Sequence, residues 1–174
     1  PTTPPTPSAA ASDVYKRQEQ YMIPIKNLDE MEHFAKILMK HVGSKDVILL
    51  NGDLGAGKTT LTQFIGKYLG VKRNINSPTF NIIKSYKGKE LKLHHMDCYR
   101  LEDSDEDLGF NEYFEDDAVT IIEWSQFIQE FLPEEYLVIN ITTINENQRQ
   151  INIAAKGYHY TKIKEEIDNE LTVN

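Results

Sequence analysis

An eight-residue stretch, Gly52–Thr59, fits the pattern G-x-x-x-x-G-K-[ST] at every position. It comes just after the unbroken apolar run Val47–Leu50, which is typical of a strand buried on both faces. Apolar residues at helical spacing follow from Lys58, and Gly70 is the predicted end of that helix. Residue frequencies alone would give the pattern in about one chain in 200 of this length. A buried strand before it and a helix after it indicate a phosphate-binding loop.

Each residue type in this loop suits the binding of phosphate. Glycines let the backbone turn its N–H groups toward an anion, where side chains would block the phosphate. The N-terminus of the following helix adds its dipole and its unpaired amides. Lys58 is predicted to place its charge on the β- and γ-phosphates, and the Thr59 hydroxyl to complete the shell of a Mg²⁺ ion. The loop therefore predicts a nucleotide-binding protein.

Strand and helix patterns alternate around this loop. Short apolar or alternating runs predict seven strands: Tyr21–Ile25, Val47–Leu50, Phe80–Tyr86, Glu90–Met96, Ala118–Ile122, Tyr136–Ile141 and Gln150–Ala154. The third and fourth of these are predicted to form one hairpin, and the sixth and seventh another. Apolar spacing predicts a helix from Leu28 to Val42, capped by Asn27 or Asp29 and stopped by Gly43. We therefore expect the α/β class, with a P-loop NTPase-like mixed sheet and helices packed on it in a single domain.

The chain divides into three parts by composition. Residues 1–19 are rich in Pro, Thr, Ser and Ala, have no apolar signal-peptide core, and are expected to be a disordered or non-native leader. Residues 20–157 are the predicted P-loop domain. Residues 158–174 carry an apolar stripe and are predicted to form a C-terminal helix, either packed on the domain or partly free.

Two acids at strand ends are candidates for managing a metal ion. Glu123 ends the apolar run Ala118–Ile122, and Asp97 follows the predicted strand Glu90–Met96. P-loop enzymes place an acid at such a strand end to orient water on Mg²⁺, and Glu123 could equally activate a water. The residue pattern leaves open which of the two has this role. Thr79 is a candidate sensor of the γ-phosphate, or only the entry to a strand.

Two adjacent histidines, His94 and His95, precede Asp97 on the same predicted strand. Neighbouring strand residues point to opposite faces, so these two rings are not expected to share one metal ion. A packed or solvated role is expected for His94.

Composition excludes several classes of protein. No run reaches the roughly 18 consecutive apolar residues of a membrane span, and Cys98, the only cysteine, cannot form an internal disulfide and fits a reducing compartment such as the cytoplasm. The net charge is −8, which argues against binding DNA or RNA mainly through surface charge. Nine acids and no Lys or Arg lie between Glu102 and Asp117, which leaves +1 for the rest of the chain. This acidic segment is either a solvated loop or a surface for a basic partner.

Four motifs in this order resemble the TsaE (YjeE) family of small bacterial P-loop ATPases, over about residues 21–157. They are Gly52–Thr60, Ser77-Pro78-Thr79-Phe80, His95-Met96-Asp97-Cys98-Tyr99-Arg100-Leu101 and Glu123-Trp124. The resemblance implies that the protein binds ATP and Mg²⁺, hydrolyses ATP, and acts on TsaD- and TsaB-like proteins that make threonylcarbamoyladenosine in tRNA. It implies that tRNA is reached through those partners. From the charge and the apolar pattern, neither direct binding of DNA nor membrane attachment is expected.

The resemblance also assigns roles to individual positions. The nucleotide would contact Gly52, Asp53, Leu54, Gly55, Ala56, Gly57, Lys58, Thr59, Thr60, Thr79, Trp124 and Arg149. Lys58, Glu123 and Asp97 would be catalytic, and Thr59, Glu123 and Asp97 would hold the metal. The family has a threonine near the nucleotide base in its first helix, and Met31 aligns at that place in this chain.

Two other functions use the same loop. A small-molecule kinase would need arginines to clamp the transferring phosphoryl group, whereas this chain has its acidic segment where such a lid could be inserted. A nucleotide-gated adaptor would bind ATP with negligible turnover. A GTPase is disfavoured because the sequence contains neither an N-K-x-D nor a D-x-x-G motif.

Overall fold

The computed structural model describes residues 21–78 and 80–173. Seven strands lie in the described part: β1 (Ile23–Ile25), β2 (Val47–Gly52), β3 (Ile83–Lys87), β4 (Lys92–Asp97), β5 (Ala118–Glu123), β6 (Tyr136–Thr143) and β7 (Arg149–Lys156). They form one sheet in the order β1-β7-β6-β2-β5-β4-β3. The central strands β6, β2, β5 and β4 are parallel, whereas β7 is antiparallel to β6, β1 to β7 and β3 to β4. The predicted mixed α/β sheet is confirmed.

Helices cover the sheet on both sides. The described α-helices are α1 (Leu28–His41), α2 (Lys58–Leu69), α3 (Phe110–Phe114) and α4 (Tyr158–Val173), with 3₁₀ segments at Tyr99–Leu101 and Ser125–Phe131. Within the described residues, no helix combines the length and the apolar character that a membrane crossing requires.

The central strand β2 separates two apolar cores. Ile48 and Leu50 belong to the core that packs against α1, α2 and α4. Val47 and Leu49 point to the opposite face, which α3 and the two 3₁₀ segments cover. A strand covered on both faces needs a continuous apolar run, and this explains the unbroken pattern seen before the glycine loop.

The ends of the first two helices test the predicted caps. Asn27 caps α1, because its Oδ1 accepts a hydrogen bond of 2.9 Å from the backbone N–H of Glu30. The helix ends slightly before the predicted stop at Gly43, because Val42 is the C-cap and is already extended, with φ −100° and ψ 135°. Gly70 does end α2 in the left-handed conformation, as predicted, with φ 81°.

The first hairpin is shorter than predicted. Its strands begin at Ile83 and Lys92, three and two residues after the apolar runs start at Phe80 and Glu90. Ile82 adopts φ 61°, in the left-handed region, and its N–H closes a turn onto the carbonyl of Pro78. Apolar content does not reveal such a turn, so the pattern placed the strand entry too early.

The acidic segment, residues 102–117, folds over the second core. Phe110 and Phe114 of α3 are buried there, and the sequence pattern did not predict this helix. Eight of the nine acids are exposed, and the exception is Asp116. Hydrogen bonds from His94 and Lys92 lower the pKa of Asp116 to about 2. The segment therefore presents a negatively charged surface anchored by two buried aromatic rings.

The C-terminal helix α4 is tied to the sheet by a tyrosine hydroxyl. The backbone N–H of Val47, at the start of β2, donates a 3.0 Å hydrogen bond to Tyr160 Oη. Burial of this hydroxyl raises the pKa of Tyr160 to about 12. His159 and His41 add contacts to carboxylates, since His159 lies 2.7 Å from Asp46 Oδ1 and His41 contacts two glutamates of α4.

Tyr160→Phe is expected to lower the free energy of unfolding by about 1–3 kcal/mol, because it leaves the buried Val47 N–H without an acceptor. Urea unfolding measures this change. Tyr158→Phe is the matched control, since Tyr158 is 72% exposed and the same atom is removed without loss of a buried hydrogen bond. Equal losses in both variants would contradict a structural role for the Tyr160 hydroxyl.

Candidate nucleotide-binding site

The glycine loop turns sharply between β2 and α2. Gly55 and Gly57 have φ values of 80° and 107°, which other residues adopt only with strain. A Cβ at Gly52 would lie 2.9 Å from the carbonyl oxygen of Ile141, so a side chain does not fit there. Gly57 caps α2, whose first amides have no partner within the helix. The loop is therefore built to present backbone N–H groups to an anion.

The Lys58 side chain is paired with Glu123. Its Nζ lies 3.4 Å from Glu123 Oε1, and the two side chains are only 14% and 6% exposed. Lys58 comes from the first turn of α2 and Glu123 from the end of β5, so the pair closes the gap between the loop and the neighbouring strand. The structure thus brings together two residues that are 65 positions apart in sequence.

Glu123 is held in its charged form. Burial alone raises the pKa of this carboxyl, but the hydrogen bond from His95 and the nearby charge of Lys58 outweigh it, and the net pKa is lowered. An ionised, largely buried carboxylate can accept a proton or coordinate a cation.

His95, to which the sequence analysis assigned no role of its own, contacts the Glu123 carboxylate. Its Nε2 lies 2.7 Å from Glu123 Oε2, its side chain is fully buried, and its Nδ1 has no hydrogen-bond partner among the described residues. Because an ionised carboxylate only accepts, Nε2 carries the hydrogen. A signal was present: His95 and Asp97 are two residues apart on one strand and therefore share a face. His94 contacts Ser85 and Asp116, whereas His95 contacts Glu123, so the two neighbouring rings have separate partners.

Asp97 lies opposite Glu123 in the parallel register of β4 and β5. Its Oδ1 accepts a hydrogen bond of 3.1 Å from the Tyr99 N–H, which fixes the carboxylate at the strand end. Asp97, Glu123, Lys58 and Thr59 line one cavity of about 740 Å³. The oxygen donors of Asp97, Glu123 and Thr59 are hard ligands of the kind Mg²⁺ prefers, and they fit a Mg²⁺ ion that also binds phosphate and water.

Arg149 braces the glycine loop from the far side. Its Nε donates to the carbonyl of Ala56 at 2.9 Å and its Nη2 to that of Gly55 at 3.2 Å, while Nη1 donates to Asn145 at 2.7 Å. Arg149 begins β7, so the hairpin of β6 and β7 reaches the loop through this side chain. The donors of the guanidinium are largely engaged by backbone oxygens.

Comparison with known proteins places the chain among relatives of one kind. Residues 25–151 match the family model described as threonylcarbamoyl adenosine biosynthesis protein TsaE. The chain belongs to the TsaE family. The tRNA threonylcarbamoyladenosine biosynthesis protein TsaE of Bacillus subtilis (strain 168) is 45% identical, over 81% of this chain and 89% of that protein. The TsaE protein of Rickettsia felis is 38% identical, over 76% of this chain and 78% of that protein.

A solved structure agrees with the fold. The crystal structure of Bacillus subtilis YdiB superposes with a TM-score of 0.73 at 36% identity, covering 86% of this chain and 95% of that one. Membership of the TsaE family, expected from four short motifs, is therefore confirmed.

In this TsaE-family chain the single tryptophan forms a wall of the site. Trp124 has φ 56°, stacks on Phe127 with ring centroids 5.7 Å apart, and meets Tyr99 edge-on at 5.0 Å. Lys58 Nζ lies 5.6 Å from the centroid of its ring. The left-handed backbone of a bulky residue is uncommon, and here it turns the indole back toward the loop.

A second cavity lies on the other side of the glycine loop. It has a volume of about 590 Å³, and Met31, Gly57, Thr60 and Arg149 are among its lining residues. Met31 Cε would lie 3.7 Å from a Cβ at Gly57, so the residue aligned with the family threonine does lie beside the loop. Among the other residues predicted to contact the nucleotide, Leu54 is fully exposed at the tip of the glycine loop. Thr79 lies outside the described residues.

Proposed function

We propose that the protein binds ATP with Mg²⁺, hydrolyses the ATP, and acts through this turnover on TsaD- and TsaB-like partners that make threonylcarbamoyladenosine in tRNA. The observation that carries this proposal is the convergence of Lys58, Glu123 and Asp97 on one cavity beside the glycine loop. The tRNA modification is inferred from the relatives, which are tRNA threonylcarbamoyladenosine biosynthesis proteins.

In this proposal Lys58 changes partners when nucleotide enters. Its charge is compensated by Glu123 at 3.4 Å, and a bound phosphate would compete for it. Glu123 is then released from Lys58 but stays oriented by His95, and can accept a proton from a water molecule. Bound Mg²⁺ would neutralise developing phosphate charge, with Thr59 and the two strand-end acids as its protein ligands. Arg149 keeps the loop in shape through the carbonyls it binds.

The His95 contact gives this proposal a pH signature. His95→Leu is expected to raise the pKa of Glu123, because it removes a hydrogen bond to the charged form. Glu123 must be ionised to act as a base, so turnover is lost as pH falls through this pKa, and the acidic limb of the kcat/KM profile moves to higher pH. His95→Gln retains a donor and is expected to leave the limb near its wild-type position.

Thermal melts accompany these profiles, since His95 is buried. An unmoved acidic limb in His95→Leu, or equal shifts in both variants, would mean that His95 acts only in packing and does not position Glu123.

Phosphate release measures the proposed function directly. Turnover of Mg²⁺-ATP is compared for the protein alone, with TsaD- and TsaB-like proteins, and with those proteins plus tRNA. We expect low turnover alone and a clear rise with the partners. Binding of ATP without turnover under all conditions would favour the nucleotide-gated adaptor instead.

A kinase is the second candidate, because another cavity adjoins the phosphate site. This cavity of about 510 Å³ shares Lys58 and Trp124 with the site and is also lined by Asn51, Asp53 and Gln126, polar groups that could hold an acceptor. The arginines near the loop do not form a clamp in the described structure: Arg149 binds backbone carbonyls, and Arg100 lies 5.0 Å from the Phe80 ring centroid. Transfer of labelled γ-phosphate to water favours the ATPase, and transfer to an added small molecule favours the kinase.

A further inference from the structure

A concave basic surface lies at the edge of the sheet that β3 forms. We call it the basic cavity; it has a volume of about 770 Å³ and is lined by Gly70, Lys72, Arg73, Ser85, Lys87, Gly88 and Lys89. Two of its four charged residues follow the end of α2 and two belong to the hairpin of β3 and β4. None of these residues lines the nucleotide site described above.

No described carboxylate pairs with the basic side chains of the cavity, although Arg73 lies 5.4 Å from the Tyr86 ring centroid. Residues 72–92 contain six basic residues and one acid, Glu90, in a chain whose net charge is −8. Lys72, Arg73, Lys87 and Lys89 form no ion pair with any residue that the structure describes. The nearby carboxylate of Asp116 is already engaged by Lys92 at 3.2 Å and by His94 at 2.9 Å. Like charges held together cost free energy until an anion joins them.

The cavity is held in shape by backbone contacts. The N–H of Lys89 donates to the carbonyl of Leu69 at 2.8 Å, which joins the hairpin turn to the last turn of α2. A Cβ at Gly88 would lie 2.5 Å from the Leu69 carbonyl oxygen, so only glycine permits this approach. On the strand beside it, Ser85 Oγ lies 2.7 Å from Nδ1 of the buried His94. The charges are therefore brought together before any ligand arrives, which lowers the cost of binding one.

The lining indicates which kind of anion fits. Lysines on an edge strand also discourage strand pairing, but that role does not require Lys72 and Arg73, which come from the loop after α2. A surface for an acidic protein needs apolar or aromatic anchors at its centre, and the lining consists only of basic, serine and glycine residues. Arginine, lysine, serine hydroxyl and backbone groups are those that contact nucleic-acid phosphates.

We infer that the basic cavity binds the phosphodiester backbone of an RNA. Phosphates alone do not identify the RNA, and the choice of tRNA as the ligand rests on the proposed function. Both the overall acidity and the family resemblance predicted that tRNA is reached only through partners. We depart from that expectation, because the folded chain concentrates positive charge at one place. The ATP site and the basic cavity are separate, so one protein could contact nucleotide and tRNA together.

Fluorescence anisotropy with a labelled tRNA transcript tests this inference on the full chain. The double variant Lys87→Gln/Lys89→Gln is expected to weaken binding about tenfold or more at 50 mM salt and to reduce the slope of log Kd against log salt by about 2. Lys36→Gln/Lys162→Gln is the matched control: it removes the same charge from exposed positions on α1 and α4, outside the cavity. It is expected to bind tRNA nearly as the wild type does.

Three results would overturn the inference. They are unchanged binding in the double variant, an equal loss in the control, and tighter binding of polyglutamate of matched charge than of tRNA, which would indicate an acidic protein as the partner. Turnover of ATP is measured on the same samples and is expected to be unchanged in Lys87→Gln/Lys89→Gln. Failure of the proposed function would show as absent turnover in the wild type, whereas failure of this inference would show only in the anisotropy.

Discussion

Lys58→Ala is expected to lower Mg²⁺-ATP turnover by at least about 100-fold while the protein stays folded. The magnitude is that of removing one preorganised group that stabilises transition-state charge. Lys58 and Arg100 are the two basic residues among the described residues that line the cavity with both strand-end acids. Lys58 is paired with Glu123, whereas Arg100 lies 5.0 Å from the Phe80 ring centroid. Without Lys58, less positive charge offsets the repulsion between the phosphate and the carboxylates of Glu123 and Asp97. Steady-state phosphate release and a thermal melt measure the two parts of the prediction.

Lys67→Ala is the control for that variant. Lys67 lies on the same helix and is also paired with a glutamate, Glu32, but the pair is outside the site. We expect near wild-type turnover in Lys67→Ala. Turnover that survives in Lys58→Ala, or falls equally in both, would remove the glycine loop from the proposed chemistry.

Glu123→Gln is expected to retain ATP binding and to lower turnover by about 10²–10⁴-fold, the range for loss of a general base. The substitution keeps the size of the side chain and an oxygen that accepts from His95, 2.7 Å away, but removes the charge. Titration calorimetry measures binding, and the fluorescence of Trp124, the only tryptophan, reports it independently. Single-turnover phosphate release then isolates the hydrolytic step.

The fate of ATP binding in this variant decides the role of the carboxylate. Loss of binding only in the presence of Mg²⁺ would make Glu123 a metal ligand and leave Asp97, its partner in register, as the candidate base. Glu112→Gln removes an exposed carboxylate from α3 and controls for net charge. Unchanged turnover in Glu123→Gln would rule out the proposed base.

The local sequence was sufficient to predict the features that depend on residues close together in the chain. The loop Gly52–Thr59 specifies its own turn through Gly55 and Gly57, whose left-handed backbone excludes most other residues. The cap at Asn27 and the end of α2 at Gly70 follow from groups within four positions along the chain. Ile82, at the turn before β3, is not a residue type that favours turns, so the apolar pattern placed the start of that strand too early.

The sequence by itself therefore determined an α/β chain with one phosphate loop and two acids at strand ends. Only the tertiary structure decided that His95 supports Glu123, that Arg149 binds the loop carbonyls, and that four basic residues from two segments surround one cavity. The first two depend on strand order and register, which join residues 28 and 93 positions apart. The third depends on the packing of the β3–β4 turn against the end of α2. Apolar periodicity shows which face of a strand is buried, but not which strand lies beside it.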